Sequence, residues 1–329
     1  MGKKRRSVDL VGIVETAYRV ELPERDWLAQ TLDALTPAIE QGRGVTAFAY
    51  DASNVRALRV GSLVGTQAQN EVAIRRSIEQ TTPDRVRWTF RTNACQLASA
   101  GPGWKEQPAY AAIRELGFED VLFLNALDPS GRGCLFTARL ARRGSITAAE
   151  RRTLARVAAH LGAAYRLHRR LHAAEHARPE APAVVAPSGR LLHAEGDAKL
   201  DRNREALRRA VLAMERARGP LRRVDAPAAV EGWRGLVGAR WSLVDRFERD
   251  GKRYIVAEDN APQATRPVRL SERERQVVAY AAMGHSNKLI AYELGISAST
   301  VGVLLHRAAA KLGVKTRGEL AAAYAKLAR

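Results

Sequence analysis

The sequence predicts an α+β protein in which two mixed α/β domains precede an all-α domain of four helices. Three observations predict this architecture. Helical and strand periodicities alternate from Asp26 to Asp259; proline-punctuated breaks fall at 178–187 and 260–267; and Leu270 to Leu320 carries four short helical patterns with their own start and stop signals. The expected domains are therefore 1–177, 188–259 and 268–329, joined by those two linkers.

In the first block, Trp27, Leu28, Leu32, Leu35 and Ile39 recur at helical spacing across Asp26 to Glu40. Gly44 to Tyr50, GVTAFAY, reads as a strand after a glycine turn. Asp120 to Leu127 and Gly133 to Leu140 read as a hairpin around Asp128-Pro129-Ser130-Gly131, residues that favour turns. A long helix follows, opened by a capping box of Thr147 and Glu150. Within it Leu154, Val157, Leu161, Ala164, His168 and Leu171 alternate three and four apart, the seam expected of a coiled dimer.

The middle block opens with a strand-turn-strand pattern in Val184 to Ala198 centred on Ser188-Gly189. It continues into a helix around Arg204 to Arg216 and closes with two strand-like runs about Asp250-Gly251, a two-residue hairpin signal. The first block resembles a GAF domain, a small α/β sensor whose antiparallel sheet is flanked by helices. The middle block resembles a PAS-type sensor. Neither resemblance implies a named ligand, and no cofactor is identifiable.

Composition narrows the partners. A net charge of +19 over 329 residues calls for an acidic polymer, nucleic acid or an anionic membrane surface. No apolar run approaches the roughly 18 residues needed to span a bilayer, so no membrane partner is expected. The start, MGKKRRSVDLVGIVE, lacks the apolar core of an export signal, and Arg6 stands where myristoylation requires Ser or Thr. Cys95 and Cys134 are the only cysteines and have no paired spacing, which fits a reducing cytoplasm and gives neither a disulfide framework nor a zinc site.

In the last block, Ser271 with Glu274 forms a capping box and Gly284 stops the first helix. Ser286 caps the second, Gly295 makes the turn, Ser297 caps the third and Gly313 stops it; Thr316 with Glu319 opens the fourth. Helix, short turn and helix is the geometry that projects a recognition helix into the major groove. Eleven Lys or Arg against four Glu between Arg266 and Arg329 leave a net +7 to attract phosphates.

This stretch resembles the DNA-binding domain of the LuxR family of bacterial regulators through LSERERQVV, GHSNKLIA, LGIS, STV and KLGV, in that order. The resemblance implies that Ser286, Asn287 and Lys288 start the scaffold helix near the DNA backbone, as Ser299 and Thr300 do for the recognition helix at about 298–312. It implies a base-reading face of Gly302, Val303, His306 and Arg307, with Lys311 toward the backbone. The family usually carries Lys at the position of Gly302, His at Leu304 and Glu at Leu289. The expectation is a dimeric DNA-binding transcription regulator under sensor control, with double-stranded DNA, a second copy and either an unidentified small molecule or RNA polymerase as partners. A degenerate helix-turn-helix serving as a protein-interaction module is the alternative, suggested by the missing Lys at 302.

Other constellations carry less. His168, His172 and His176 lie at i, i+4 and i+8 with Glu175 adjacent, a spacing able to ligate metal, but histidines near a basic helix end are more often solvated, and no metal is expected. No catalytic motif, phosphate loop or receiver-type acidic cluster is present, so no enzymatic role is expected. Arg139 to Arg178 holds ten Arg and two Glu, read as a solvated helix surface or a second DNA-facing stripe.

Overall fold

In the computed structural model, residues 8–65, 68–107, 110–111, 114, 117–173, 181–247, 251–262 and 270–327 are described. The first block forms α1 (Leu10–Ala17), α2 (Glu24–Ile39), β1 (Val45–Asp51), β2 (Arg59–Val64), α3 (Ala68–Glu79), α4 (Pro83–Phe90), β3 (Cys95–Leu97), β4 (Asp120–Ala126), β5 (Arg132–Leu140) and α5 (Ala148–Ala173). Its strands make one antiparallel sheet in the order β2-β1-β5-β4-β3.

Strand alternation decides what lies on each face. Ala47, Ala49, Leu122, Leu124 and Phe136 point toward α1, α2 and α5; Phe48, Tyr50 and Leu135 point the other way, toward α3 and α4. The expected β4–β5 hairpin pairs Asp120 with Leu140 through Ala126 with Cys134. Both cysteines are buried in this sheet, and burial pushes the Cys95 thiol up to about 11, so both behave as small apolar core residues.

The middle block contributes β6 (Ala183–Val185), β7 (Leu191–Ala194), α6 (Asp201–Arg218), α7 (Leu221–Val224), α8 (Ala226–Gly232), β8 (Trp241–Phe247) and β9 (Arg253–Asp259), with a second antiparallel sheet ordered β7-β6-β9-β8. The last block holds α9 (Glu272–Ala282), α10 (Asn287–Leu294), α11 (Ala298–Leu312) and α12 (Arg317–Leu327). No single helix among the described residues is long and apolar enough to cross a membrane.

Three expectations need correction. The boundary at 178–187 does not hold as a linker throughout, because Ala183–Val185 is strand β6 and pairs with both β7 and β9. The prolines there flank a short strand instead of marking open chain. The boundary at 260–267 likewise begins inside the fold. Asn260 is buried; its Nδ2 donates to the Ala163 carbonyl (2.7 Å) and to Ser242 Oγ (2.8 Å). The rest of that linker, 263–267, lies outside the described residues, as do 174–180 with His176 and Glu175.

The third correction concerns the dimer seam. Leu154, Val157, Leu161, Ala164 and His168 are buried in the protomer's own core, and Leu171 packs against it. Helix α5 is 26 residues long, about 39 Å at 1.5 Å per residue, and all three blocks pack on it. A heptad-like pattern over two and a half repeats is also what a core-buried amphipathic helix shows. At Gly162 the helix approaches the β4–β5 turn so closely that a Cβ would stand 2.7 Å from the Leu127 carbonyl oxygen. His168 and His172 place Nε2 2.7 and 3.0 Å from the carbonyls of Leu22 and Val20, tying α5 to the α1–α2 connection.

One apolar core therefore runs through the first sheet, α5, the second sheet and the helical block. A buried polar cluster crosses the same junction. Arg166 Nε donates to the Asn260 carbonyl and Oδ1 (both 3.0 Å), and its Nη1 donates to Asp128 Oδ2 (2.7 Å) with the Tyr280 hydroxyl at 3.5 Å. Residues from the first block, the 260–267 segment and the last block meet on one guanidinium.

Candidate nucleic-acid interface

Each helix of the last block begins where a side chain accepts an otherwise unpaired backbone N–H. Ser271 Oγ accepts from Glu274 N while Glu274 Oε2 accepts from Ser271 N (2.7 Å), the expected capping box. Ser286 accepts from Leu289 N (3.3 Å) and Ser297 from Thr300 N (3.0 Å). Thr316 and Glu319 exchange hydrogen bonds at the start of α12 (both 3.1 Å). Gly295 and Gly313 terminate α10 and α11 at φ of +63° and +67°, the left-handed conformation that glycine adopts without a Cβ penalty.

Between α10 and α11 the chain bends by 107°, within the range of a helix-turn-helix. Val277, Ile290, Leu294 and Val301 close the corner from within. The expected contact residues lie at the N-termini of the two helices and along α11. Ser286 and Lys288 are exposed and Asn287 half-buried at the N-terminus of α10; Ser299 and Thr300 are exposed at the N-terminus of α11. Val303 is 50% exposed, His306 and Arg307 are exposed, and Gly302 is half-buried with open space where a Cβ would stand. Each of these two helix N-termini carries a positive dipole end, which is suited to anionic oxygens.

Lys311, also exposed, has a partner within the block. Its Nζ donates to Glu274 Oε2 at 2.7 Å, and Glu274 is only 3% exposed. Burial would raise the Glu274 pKa, but the hydrogen bonds from Lys311 and Ser271 outweigh it and hold the carboxyl below its usual value. This contact ties α11 to α9.

Arg317 is not among the contact residues expected from the sequence. Its Nη1 donates to Asn287 Oδ1 (2.6 Å) and its Nη2 to the His285 carbonyl, which sets a guanidinium beside the N-terminus of α10. Asn287 and Arg317 are thirty positions apart, which leaves no local pattern from which this pairing could be read.

The opposite side of the block is docked on the remainder of the chain. Tyr292 of α10 is buried, and its hydroxyl lies 2.6 and 3.1 Å from the carbonyls of Val230 and Trp233 and 2.8 Å from His160 Nε2. Because those carbonyls occupy the Tyr292 proton, the Nε2–H tautomer of His160 is assigned as donor to the hydroxyl. Burial depresses the His160 pKa to about 4, so the ring is neutral at pH 7. Arg234 Nη1 donates to the carbonyls of Ala291 (3.3 Å) and Ile296 (3.4 Å), a cation at the negative end of α10. Asn93 N donates to the Met283 carbonyl (3.2 Å) from the first block.

Residues 268–324 match the family described as bacterial regulatory proteins, luxR family (GerE). Among solved structures, the crystal structure of Escherichia coli SdiA is similar at 12% identity, covering 87% of this chain and 83% of that one, with a TM-score of 0.25. Comparison with curated proteins gives no match.

Proposed function

We propose that this chain, whose residues 268–324 are a luxR-family helix-turn-helix domain, is a transcription regulator that binds double-stranded DNA through α11 and acts as a dimer under control of its two α/β units. The observation that carries this reading is the exposure of Val303, His306 and Arg307 on α11, the second helix of a helix-turn-helix with both helix N-termini capped. Base edges are read by such a face, while Ser286, Asn287, Lys288, Ser299 and Thr300, with Arg317 beside them, hold the phosphates.

The five-stranded antiparallel sheet with helices on both faces supports a GAF-type sensor in the first block, and the β6–β7 hairpin around Ser188-Gly189 supports a PAS-type unit in the second. Control reaches the DNA-binding block through the surfaces that hold α10, namely His160, Val230, Trp233 and Arg234. Selection of duplexes from a random pool by the full chain tests the proposal. Recovery of two-fold related half-sites about one helical turn apart is expected. A pool that stays unenriched, with salt-insensitive capture of a protein instead, would favour the interaction-module alternative and overturn it.

A further inference from the structure

On the α3–α4 side of the first sheet lies a cavity of about 150 Å³, roofed by α3 and α4. Its walls are mostly apolar, from Phe48, Ile74, Ile78, Phe90, Phe123 and Leu135. Arg85 and Arg139 also line it.

Neither arginine has a carboxylate within ion-pair distance among the described residues. Arg85 is 4% exposed; Nη2 donates to the Ala98 carbonyl (2.9 Å), its Cζ lies 4.3 Å from the Trp88 ring centroid and 5.2 Å from that of Trp104, and Nη1 has no hydrogen-bond partner among the described residues. Gln107 Oε1, at the same cavity, is likewise buried and unpartnered there. Arg139 donates to Thr46 Oγ1 (3.0 Å) and lies over the Phe118 ring. An unpaired buried donor is costly, and a molecule that satisfies it recovers that cost on binding.

Size and charge narrow the occupant. A cavity of this volume with aliphatic and aromatic walls takes up a single benzene ring. Two cations without an ion-paired carboxylate among the described residues favour an anionic occupant. Two planar guanidinium forks favour a planar carboxylate. We propose that this cavity binds a small aromatic monocarboxylate, its ring among Phe48, Ile78 and Phe90 and its carboxylate held by Arg85 and Arg139.

The site also has a route to the DNA-binding block. Helix α4 supplies Arg85, Thr89 and Phe90 to the cavity, and three residues beyond its end Asn93, at φ +60°, donates to the Met283 carbonyl between α9 and α10. Ligand contacts that reposition α4 therefore bear on the docked block. This inference gives the sensor part of the proposed function a ligand class, yet its binding test needs no DNA, so either reading can fail alone.

Calorimetric titration of the full chain with benzoate, benzamide and benzamidinium tests it. Benzoate is expected to bind at least about tenfold more tightly than the isosteric neutral amide, with no heat from the cation. Arg139→Gln should weaken benzoate about tenfold or more, and Ile78→Trp, which fills the cavity but keeps both arginines, should abolish binding while circular dichroism shows both variants folded. Equal binding of benzoate and benzamide, no benzoate binding at millimolar concentration, or unchanged binding by a folded Ile78→Trp variant would each overturn the proposal.

Discussion

Replacing Gly302 by lysine should both stiffen α11 and tighten its hold on DNA. Gly302 lies in the second turn of α11, and a Cβ built there meets nothing within 4 Å, so the substitution carries no steric penalty. Glycine inside a helix costs roughly 0.5–1 kcal/mol relative to alanine, and lysine is close to alanine in propensity, so stability should rise by about that amount. On DNA, one added phosphate contact steepens the slope of log K against log salt by about 0.9, so a fourfold rise in salt should cost the variant about 3.5-fold more affinity than the parent. Fluorescence anisotropy on a selected duplex, from low to moderate salt, measures this. Gly302→Ala is the control, because it shares the helix gain without the charge. Equal salt slopes for the two variants and the parent would refute the placement of residue 302 on the DNA-facing side of α11.

Other outcomes follow from the same structure. Gly295→Ala should cost roughly 2 kcal/mol or more in thermal unfolding, since φ is +63° and the new Cβ would stand 2.0 Å from the Leu236 carbonyl oxygen; Gly313→Ala, with the same backbone conformation but open space, should cost only about 1. Asp128→Ala leaves the Arg166 guanidinium buried without its carboxylate and should lower urea stability by about 3–5 kcal/mol. His160 is buried with its pKa lowered from 6.5 to about 4, so the unfolded chain holds more protons between those values. The neutral ring's contribution is complete above pH 6.5 and falls by about 3 kcal/mol in total as pH drops to 4, a slope that His160→Gln should remove from a pH series of urea midpoints. Lys311→Ala should lower the melting temperature through loss of the Glu274 contact and leave the DNA salt slope nearly unchanged, whereas Lys288→Ala should flatten that slope by about 0.9 without affecting melting.

Local structure in this chain was largely legible because its signals are local. The caps at Ser271, Ser286, Ser297 and Thr316 and the left-handed stops at Gly295 and Gly313 depend on residues within four positions, and all are seen. The hairpin around Asp128 to Gly131 is of the same kind. What escaped are pairings between distant residues. Arg317 with Asn287, Tyr292 with His160, and Arg166 with Asp128, Asn260 and Tyr280 join positions 30 to 132 apart, and no periodicity encodes them.

The seam on α5 shows a different failure. Three-four spacing reports that one stripe of a helix is buried, without saying whether its partner is a second copy or the same chain. Here the partners are the protomer's own α1, β4 and α10, so any dimer must form elsewhere. Lys311 shows the first again. Its pairing with the buried Glu274, 37 positions away, has no local signature.

The most direct test of the central claim is the binding of Arg307→Ala and the parent chain to a selected duplex and to single-base variants of it, across a salt series. If α11 reads bases, Arg307→Ala should lose about 1–3 kcal/mol on the selected site and discriminate less at one position, while binding stays salt-dependent. Unchanged affinity and unchanged base preference in the folded variant would contradict the account.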